Sequence, residues 1–200
     1  MAGKVFAAAG LLLLAAAGAL VLWNLHEDSA AGETARQALA QVQQAIAAED
    51  APSGIESTPA PGAAPAPEMP AVEADGHEYV GTVEISALDL ELPVLSDWSD
   101  ELLKTAPCRY AGSVQAGDLV IAGHNYRAHF GRIGELQPGD QVFFTDASGG
   151  RTAYTVSQVE SLPATAVEEM FDGGWALTPF TCTLDGADRV TVRCQRTGQP

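Results

Sequence analysis

The chain opens on one unbroken apolar run. Val5 to Trp23 carries no charged residue and is rich in Leu and Ala. At about 1.5 Å per residue it can nearly cross a hydrocarbon core of about 30 Å. The pattern then changes. Leu39, Val42 and Ile46 recur at spacings of three and four among Gln and Ala, the period of a helix. Residues 24–50 are therefore expected to form a juxtamembrane helix or stalk, read as a solvated spacer. From 51 to 75 the periodicity disappears. Pro52, Pro59, Pro61, Pro65, Pro67 and Pro70 alternate with Ala, Gly and Ser, a composition that stays extended and builds no core. Such a linker would hold a domain some distance from the membrane.

From Gly76 to the end, residues 76–200, the period is two. Tyr79 to Ile85 alternates apolar and polar positions, and Leu88 to Leu95 does so again. Leu119 to Ala122 is a short buried run. Gln141 to Phe144 follows the turn Pro138-Gly139-Asp140, and Tyr154 to Val159 follows Ser148-Gly149-Gly150. Leu177 to Thr183 and Arg189 to Cys194 complete the set. Seven or eight short strands with punctuated turns predict a mainly β domain, a closed barrel or a sandwich. Short helices are expected near Trp98–Lys104, Arg132–Leu136 and Thr165–Phe171.

Charge and cysteines narrow the function. The formal net charge of −16 argues against a nucleic-acid partner, because polyphosphate would be repelled. Lys4 and the α-amino group precede the apolar run, and Glu27 and Asp28 follow it. That asymmetry places the N-terminus in the cytoplasm and the remainder outside, as a single-pass membrane protein. A cleaved signal peptide is the rival reading; the run is longer than a usual signal core, which favours an uncleaved anchor. The three cysteines, Cys108, Cys182 and Cys194, are an odd number, so at least one thiol is free or paired with another molecule. No Cys/His cluster has zinc-ligand spacing, and neither a metal nor another cofactor is expected.

Cys182 ends one apolar, β-prone segment, Arg189 begins the next, and His124 follows the buried run Leu119–Ala122. A thiol becomes a good nucleophile only as thiolate, and a nearby cation stabilises both the thiolate and the oxyanion formed when it attacks a carbonyl. Strand parity separates the candidates. Val190, Val192 and Cys194 share an apolar face that should meet the core, which makes Cys194 a core thiol. Arg189, Thr191 and Arg193 share the other face. Arg193 lies about 13 Å beyond Arg189 at about 3.3 Å per residue, so only one arginine can sit beside Cys182, and Arg189 is nearer the turn. His129, in Tyr126–Phe130, is the competing base and reads as part of a surface loop. His26 and His77 lie in the stalk and at the domain edge.

Residues 79–196 resemble a sortase, the membrane-anchored cysteine transpeptidase of Gram-positive cell surfaces. The resemblance rests on Thr178-Pro179-Phe180-Thr181-Cys182, Arg189 and Ala122-Gly123-His124-Asn125, supported by Phe130-Gly131, Leu136 and Gly139-Asp140-Gln141-Val142. It implies a sortase-type β-barrel behind an N-terminal anchor and linker. It also implies a nucleophile Cys182, an oxyanion-stabilising Arg189 and a general acid–base His124. The substrate would be a surface protein bearing a C-terminal sorting signal, and the acceptor an amine from peptidoglycan or a pilin lysine. Ala164 and Val167 fall where the family walls its substrate groove; Thr181 and Asn125 flank the catalytic positions and are assigned to substrate with them. Pro179 stands where the family usually has leucine, and proline removes a ladder hydrogen bond. Leu103 to Tyr110 resembles the connector of class B-like members. Asp97-Trp98 lacks the proline of the Asp-Pro-aromatic lid of some pilus-building members and lies after two strands, so no lid is assigned. Three other readings stay open: a non-catalytic extracellular scaffold with Cys182 paired to Cys194, a hydrolytic thiol protease, and, poorest in ligands, a metalloprotein using His124 and Cys182.

Overall fold

The computed structural model describes residues 2–49 and 69–197. α1 (Ala2–Glu49) is one continuous helix of 48 residues, about 72 Å long. Its first half leaves Leu11–Leu14, Leu20, Leu22 and Trp23 exposed, and it is the one helix among the described residues long and apolar enough to cross a membrane. Its second half is not the solvated spacer expected from the sequence. Ala31, Ala35, Ala38, Val42 and Ile46 form a buried stripe at spacings of four, three, four and four, the face a helix presents to a core. Val42 and Ile46 pack with Val72, Tyr79, Leu95 and Cys108. The small residues in the stripe let the helix axis approach closely, and Gln43 Nε2 donates to Glu91 Oε1 at 2.8 Å beside it. Residues 51–68 of the expected linker lie outside the described residues.

Nine strands follow: β1 (Val72–Ala74), β2 (His77–Ile85), β3 (Leu90–Leu95), β4 (Cys108–Ala111), β5 (Leu119–Ala122), β6 (Gln141–Asp146), β7 (Arg151–Pro163), β8 (Leu177–Cys182) and β9 (Asp188–Arg196). Their order is β1-β2-β3-β4-β5-β8-β9-β7-β6, and β6 also pairs with β2. The sheet therefore closes into an eight-stranded barrel, β2 to β9, with β1 as a short arm on β2. Closure removes the free edges that an open sheet would expose. The sandwich alternative is thereby replaced by the barrel.

β1 and β4 are the strands that the sequence pattern did not predict. Three- and four-residue strands are too short for alternation to register, and β4 carries the half-buried sequence Arg109-Tyr110-Ala111. The expected helices shrink. Leu102–Lys104 and Ile133–Glu135 are 3-10 turns, and only α2 (Val167–Phe171) is α-helical.

The barrel interior holds Val83, Ile85, Leu119, Ile121, Phe144, Tyr154, Val192 and Cys194. β6 shows the alternation plainly: Val142, Phe144 and Asp146 are buried, and Gln141, Phe143 and Thr145 less so. Asp146 is buried without penalty because its Oδ1 accepts from Ser148 N–H, Ser148 Oγ–H and Gly150 N–H, closing the β6–β7 hairpin. Leu119 to Ala122 is buried on both sides: barrel core on one face, and Met170 and Phe180 on the other. That double burial explains why its sequence is continuously apolar instead of alternating.

Candidate active site

Two ladders bring the chemistry-bearing residues to one rim. β8 and β9 form an antiparallel hairpin in which Cys182 and Arg189 are direct partners. Its turn is set by Thr183, whose hydroxyl donates to Asp185 Oδ1 at 2.6 Å and accepts from Asp188 N–H at 3.1 Å, with Gly186 at φ +73°. β5 runs parallel to β8 with Ala122 opposite Phe180, and Gly123 N–H donates to the Phe180 carbonyl at 2.9 Å. Cys182 is the last residue of β8, and His124 follows β5 by two residues, between Gly123 and Asn125, each of which lines a cleft shared with Cys182. Gly123 is required there: a Cβ would sit 2.3 Å from the Phe130 ring.

Pro179 is accommodated by a gap. The β8–β9 ladder pairs Leu177 with Cys194 and resumes at Phe180 with Thr191, with no pair at Thr178 or Pro179. The parallel ladder to β5 is continuous through Ile121 and Pro179. The missing proline N–H therefore falls on the β9 side, and Cys182 stays in register.

Among the three cysteines, all free, only Cys182 is exposed. Burial pushes the thiols of Cys108 and Cys194 up to about 12, which keeps both protonated and inert. Cys194 lies five β9 residues from the partner of Cys182, about 16 Å along a strand. A disulfide needs Cα atoms within about 7 Å, so the Cys182–Cys194 scaffold pairing is excluded.

Cys182 lies between two clefts. The first is lined by Cys182, Arg189, Ala164 and Val167 together with Gly123 and Phe180. It is walled by an aromatic cluster centred on Tyr110, whose ring meets Trp98 at 5.3 Å, Phe171 at 6.0 Å and Phe180 edge-on at 5.3 Å. The second holds Asn125, Thr181, Cys182, Leu184 and Asp185. The Asp185 carboxyl is held below its ordinary value by the Thr183 hydroxyl and the Ala187 N–H. Trp98, Tyr110 and Phe171 carry no sequence signal of this role, since three lone aromatics in separate loops and strands meet only in the fold.

The two arginines are separated clearly. Arg193 is buried; it donates to Glu160 Oε1 at 2.7 Å, to the Met170 carbonyl at 2.7 Å and to the Glu169 carbonyl. It therefore ties α2 to the barrel. Arg189 has only backbone partners at its own turn, the carbonyls of Gly186 and Asp188, each at 3.2 Å, and its side chain faces the first cleft.

The ring of His124 is stacked on Tyr126, with centroids 3.8 Å apart and planes 13° apart, and its Nδ1 is buried without a partner. Burial lowers its pKa below the ordinary 6.5; the Asn125 side chain and the Glu27 carboxylate oppose that shift, and Lys104 adds to it. His129 differs from its sequence reading. It is fully buried, not on a surface loop, because Ala128 and His129 are covered by α1. Burial pushes its pKa down to about 4, with the backbone of Ala31 and Leu103 opposing. As an internal neutral imidazole it cannot serve a substrate in either cleft.

An exposed thiol beside a guanidinium, at the rim of a closed β-barrel and between two clefts, defines the kind of protein. Residues 83–197 match the sortase domain, and the chain belongs to the sortase family. Its fold and family are those of sortase-type transpeptidases. No curated protein matches the chain. Among solved structures it resembles sortase C1 of Streptococcus suis at 25% identity and TM-score 0.52, covering 62% of this chain and 75% of that one. It also resembles sortase C of Clostridium perfringens (22%, TM-score 0.53, 60% and 71%) and sortase A of Corynebacterium diphtheriae (19%, TM-score 0.54, 62% and 63%). The last two likenesses carry the fold alone. The class B-like resemblance rests only on the Leu103–Tyr110 sequence.

Proposed function

We propose that this chain is a membrane-anchored cysteine transpeptidase that cleaves a C-terminal sorting signal and passes the acyl group to an amine. The observation that carries the reading is the cross-strand pair of Cys182 and Arg189 on one aromatic-walled cleft. The Cys182 thiolate attacks the carbonyl carbon of the scissile peptide bond. Arg189 donates to the oxyanion, which bears the charge only as the bond changes. The C–N bond breaks as His124, as imidazolium, gives its proton to the leaving amine, and a thioester remains on Cys182. An acceptor amine then attacks the thioester, His124 takes its proton, and the thiolate departs. The amine would come from a peptidoglycan cross-bridge or a pilin lysine. Ala164 and Val167 contact the sorting signal in the first cleft, and Asn125 and Thr181 line the second. α1 is the single-pass anchor, with the N-terminus cytoplasmic and the barrel outside.

The sortase C of Clostridium perfringens that shares this fold was solved with the C-terminal cell wall sorting motif, which supports the same substrate class here. The lowered pKa of His124 disfavours the imidazolium that would protonate the leaving amine. The test is product analysis of a sorting-signal peptide with and without added amines. Transfer product should rise with amine concentration, and Cys182→Ala should abolish turnover with its melting curve unchanged. Hydrolysis alone across all amines would make the chain a thiol protease; turnover in Cys182→Ala would remove the thiol from the mechanism.

A further inference from the structure

α1 does more than lie against the barrel: it meets the loop that carries His124. Asp28 Oδ1 accepts the Ala128 N–H at 3.2 Å, across 100 residues of sequence. One turn on, Gly32 packs so tightly on Ala128 that an added Cβ would stand 2.8 Å from the alanine methyl. His129 is buried in the same seam, beside the backbone of Ala31 and Leu103. The Tyr126 ring meets His129 at 5.6 Å and 70°, and its other contact is the stacked ring of His124. Glu27, Ala31, Lys104 and Tyr126 line one shallow groove along this seam. A continuous set of contacts therefore runs from the helix through Ala128, His129 and Tyr126 to His124.

The rest of the loop is held by its own backbone. Phe130 N–H donates to the His124 carbonyl at 3.1 Å, and His129 N–H and Gly131 N–H both donate to the Tyr126 carbonyl at 2.9 Å. These bonds make 124–131 a compact unit. No ladder bond extends past Gly123, so the sheet alone does not orient the unit. Phe130, buried in the barrel core against Gly123, anchors the unit at one end, and the α1 seam holds it at Ala128 and His129.

We propose that α1 is a working part of the active site, and that Asp28 and Gly32 are positioning residues that hold the 124–131 loop, and with it His124, at the rim that carries Cys182. This rests on the transpeptidase reading above. Its physical basis is that a general acid displaced by about 1 Å can cost about 100-fold in rate, and the helix-to-loop hydrogen bond and the close Gly32–Ala128 contact act on that placement together with the Phe130 anchor. The titratable groups facing His124 are Glu27 from α1 and Lys104 from the 3-10 turn, with Tyr126 and His129 from its own loop. The same helix that carries the apolar segment thus sets the site's proton donor.

The test uses the full chain in detergent micelles. Asp28→Ala removes the acceptor; Asp28→Asn keeps an oxygen at that position. Gly32→Leu forces Ala128 away. Expected for Asp28→Ala is a fall in kcat of about tenfold with KM unchanged, a shifted pH profile, and a displaced NMR titration of the His124 ring. Its melting midpoint should move by no more than about 4 °C. Asp28→Asn should retain most of the activity, and Gly32→Leu should lose more than Asp28→Ala. Wild-type kcat and an unmoved His124 titration in both Asp28→Ala and Gly32→Leu overturn the proposal, and so does an Asp28→Asn as impaired as Asp28→Ala. The histidine titration and the pH profile of Cys182 alkylation by iodoacetamide need no substrate. If the wild type transfers to no amine but Asp28→Ala still shifts both, the transpeptidase reading falls and the positioning role stands.

Discussion

At the scale of single residues, burial sorts groups that look equivalent in the sequence. Cys182 and Cys194 lie on neighbouring strands, but one is exposed and the other sits in the barrel interior. Arg189 and Arg193 share a strand face, as alternation along β9 requires. Alternation does not encode that α2 covers the far end of the face, where Arg193 satisfies two helix carbonyls and a carboxylate. The two arginines should therefore fail in different ways. Arg193→Ala takes the guanidinium from Glu160 and leaves the carbonyls of Glu169 and Met170 without it, and should cost about 3 kcal/mol of stability. Arg189→Ala should melt like the wild type and lose about 100-fold in kcat/KM, with little rescue by Arg189→Lys, because an ammonium lacks the planar donor fork. Thermal melts and peptide turnover on the same preparations check both. A fully active Arg189→Ala beside a folded but inactive Arg193→Ala would show the assignment to be reversed.

At the scale of elements, β5, β8 and β9 were legible because each is long or apolar enough for its period to show. Their pairing was not, since β5 and β8 are parallel neighbours with more than fifty residues between them. The ladder gap at Pro179 is a further case: proline predicts a lost bond, but only the sheet order says which neighbour loses it. The first cleft belongs to this scale too, because β4, α2, β8 and the segment before the Leu102–Lys104 turn each supply one aromatic wall. Tyr110, at the centre of the cluster, should govern substrate binding and leave the thiol's chemistry alone. Tyr110→Ala is expected to raise KM for the sorting-signal peptide about tenfold while the alkylation rate of Cys182 stays at the wild-type value; a slowed alkylation would place Tyr110 in the catalytic machinery instead.

At the scale of the whole molecule, α1 and the barrel are one packed body, and His129 sits at their seam. Its pKa of about 4 lies below the ordinary 6.5, so as pH falls the unfolded chain takes up a proton before the folded one. The stability that neutral His129 contributes is complete above about pH 6.5 and is lost as pH falls toward about 4, a difference of about 3 kcal/mol. The lowered pKa of His124 acts in the same direction. His129→Phe keeps an aromatic ring in the seam and removes the titration, so denaturant melts between pH 4 and 6.5 should be flatter for the variant. Parallel losses in the two proteins would mean that other groups drive acid unfolding. The helix period at Leu39, Val42 and Ile46 announced a helix, but an amphipathic stripe dominated by alanine is too weakly apolar to announce a partner.

Local chemistry decided what the sequence alone could decide. An uncharged run is apolar wherever it lies, alternation makes a strand one-sided, and a cysteine and an arginine with six residues between them across a turn are brought side by side by the hairpin itself. The tertiary structure decided what depends on distant segments: barrel closure through β2 and β6, the thiol left open to solvent, the arginine left free, and the docking of α1 on the histidine loop. Those outcomes follow from burial and pairing between residues up to a hundred positions apart, and no local period encodes them.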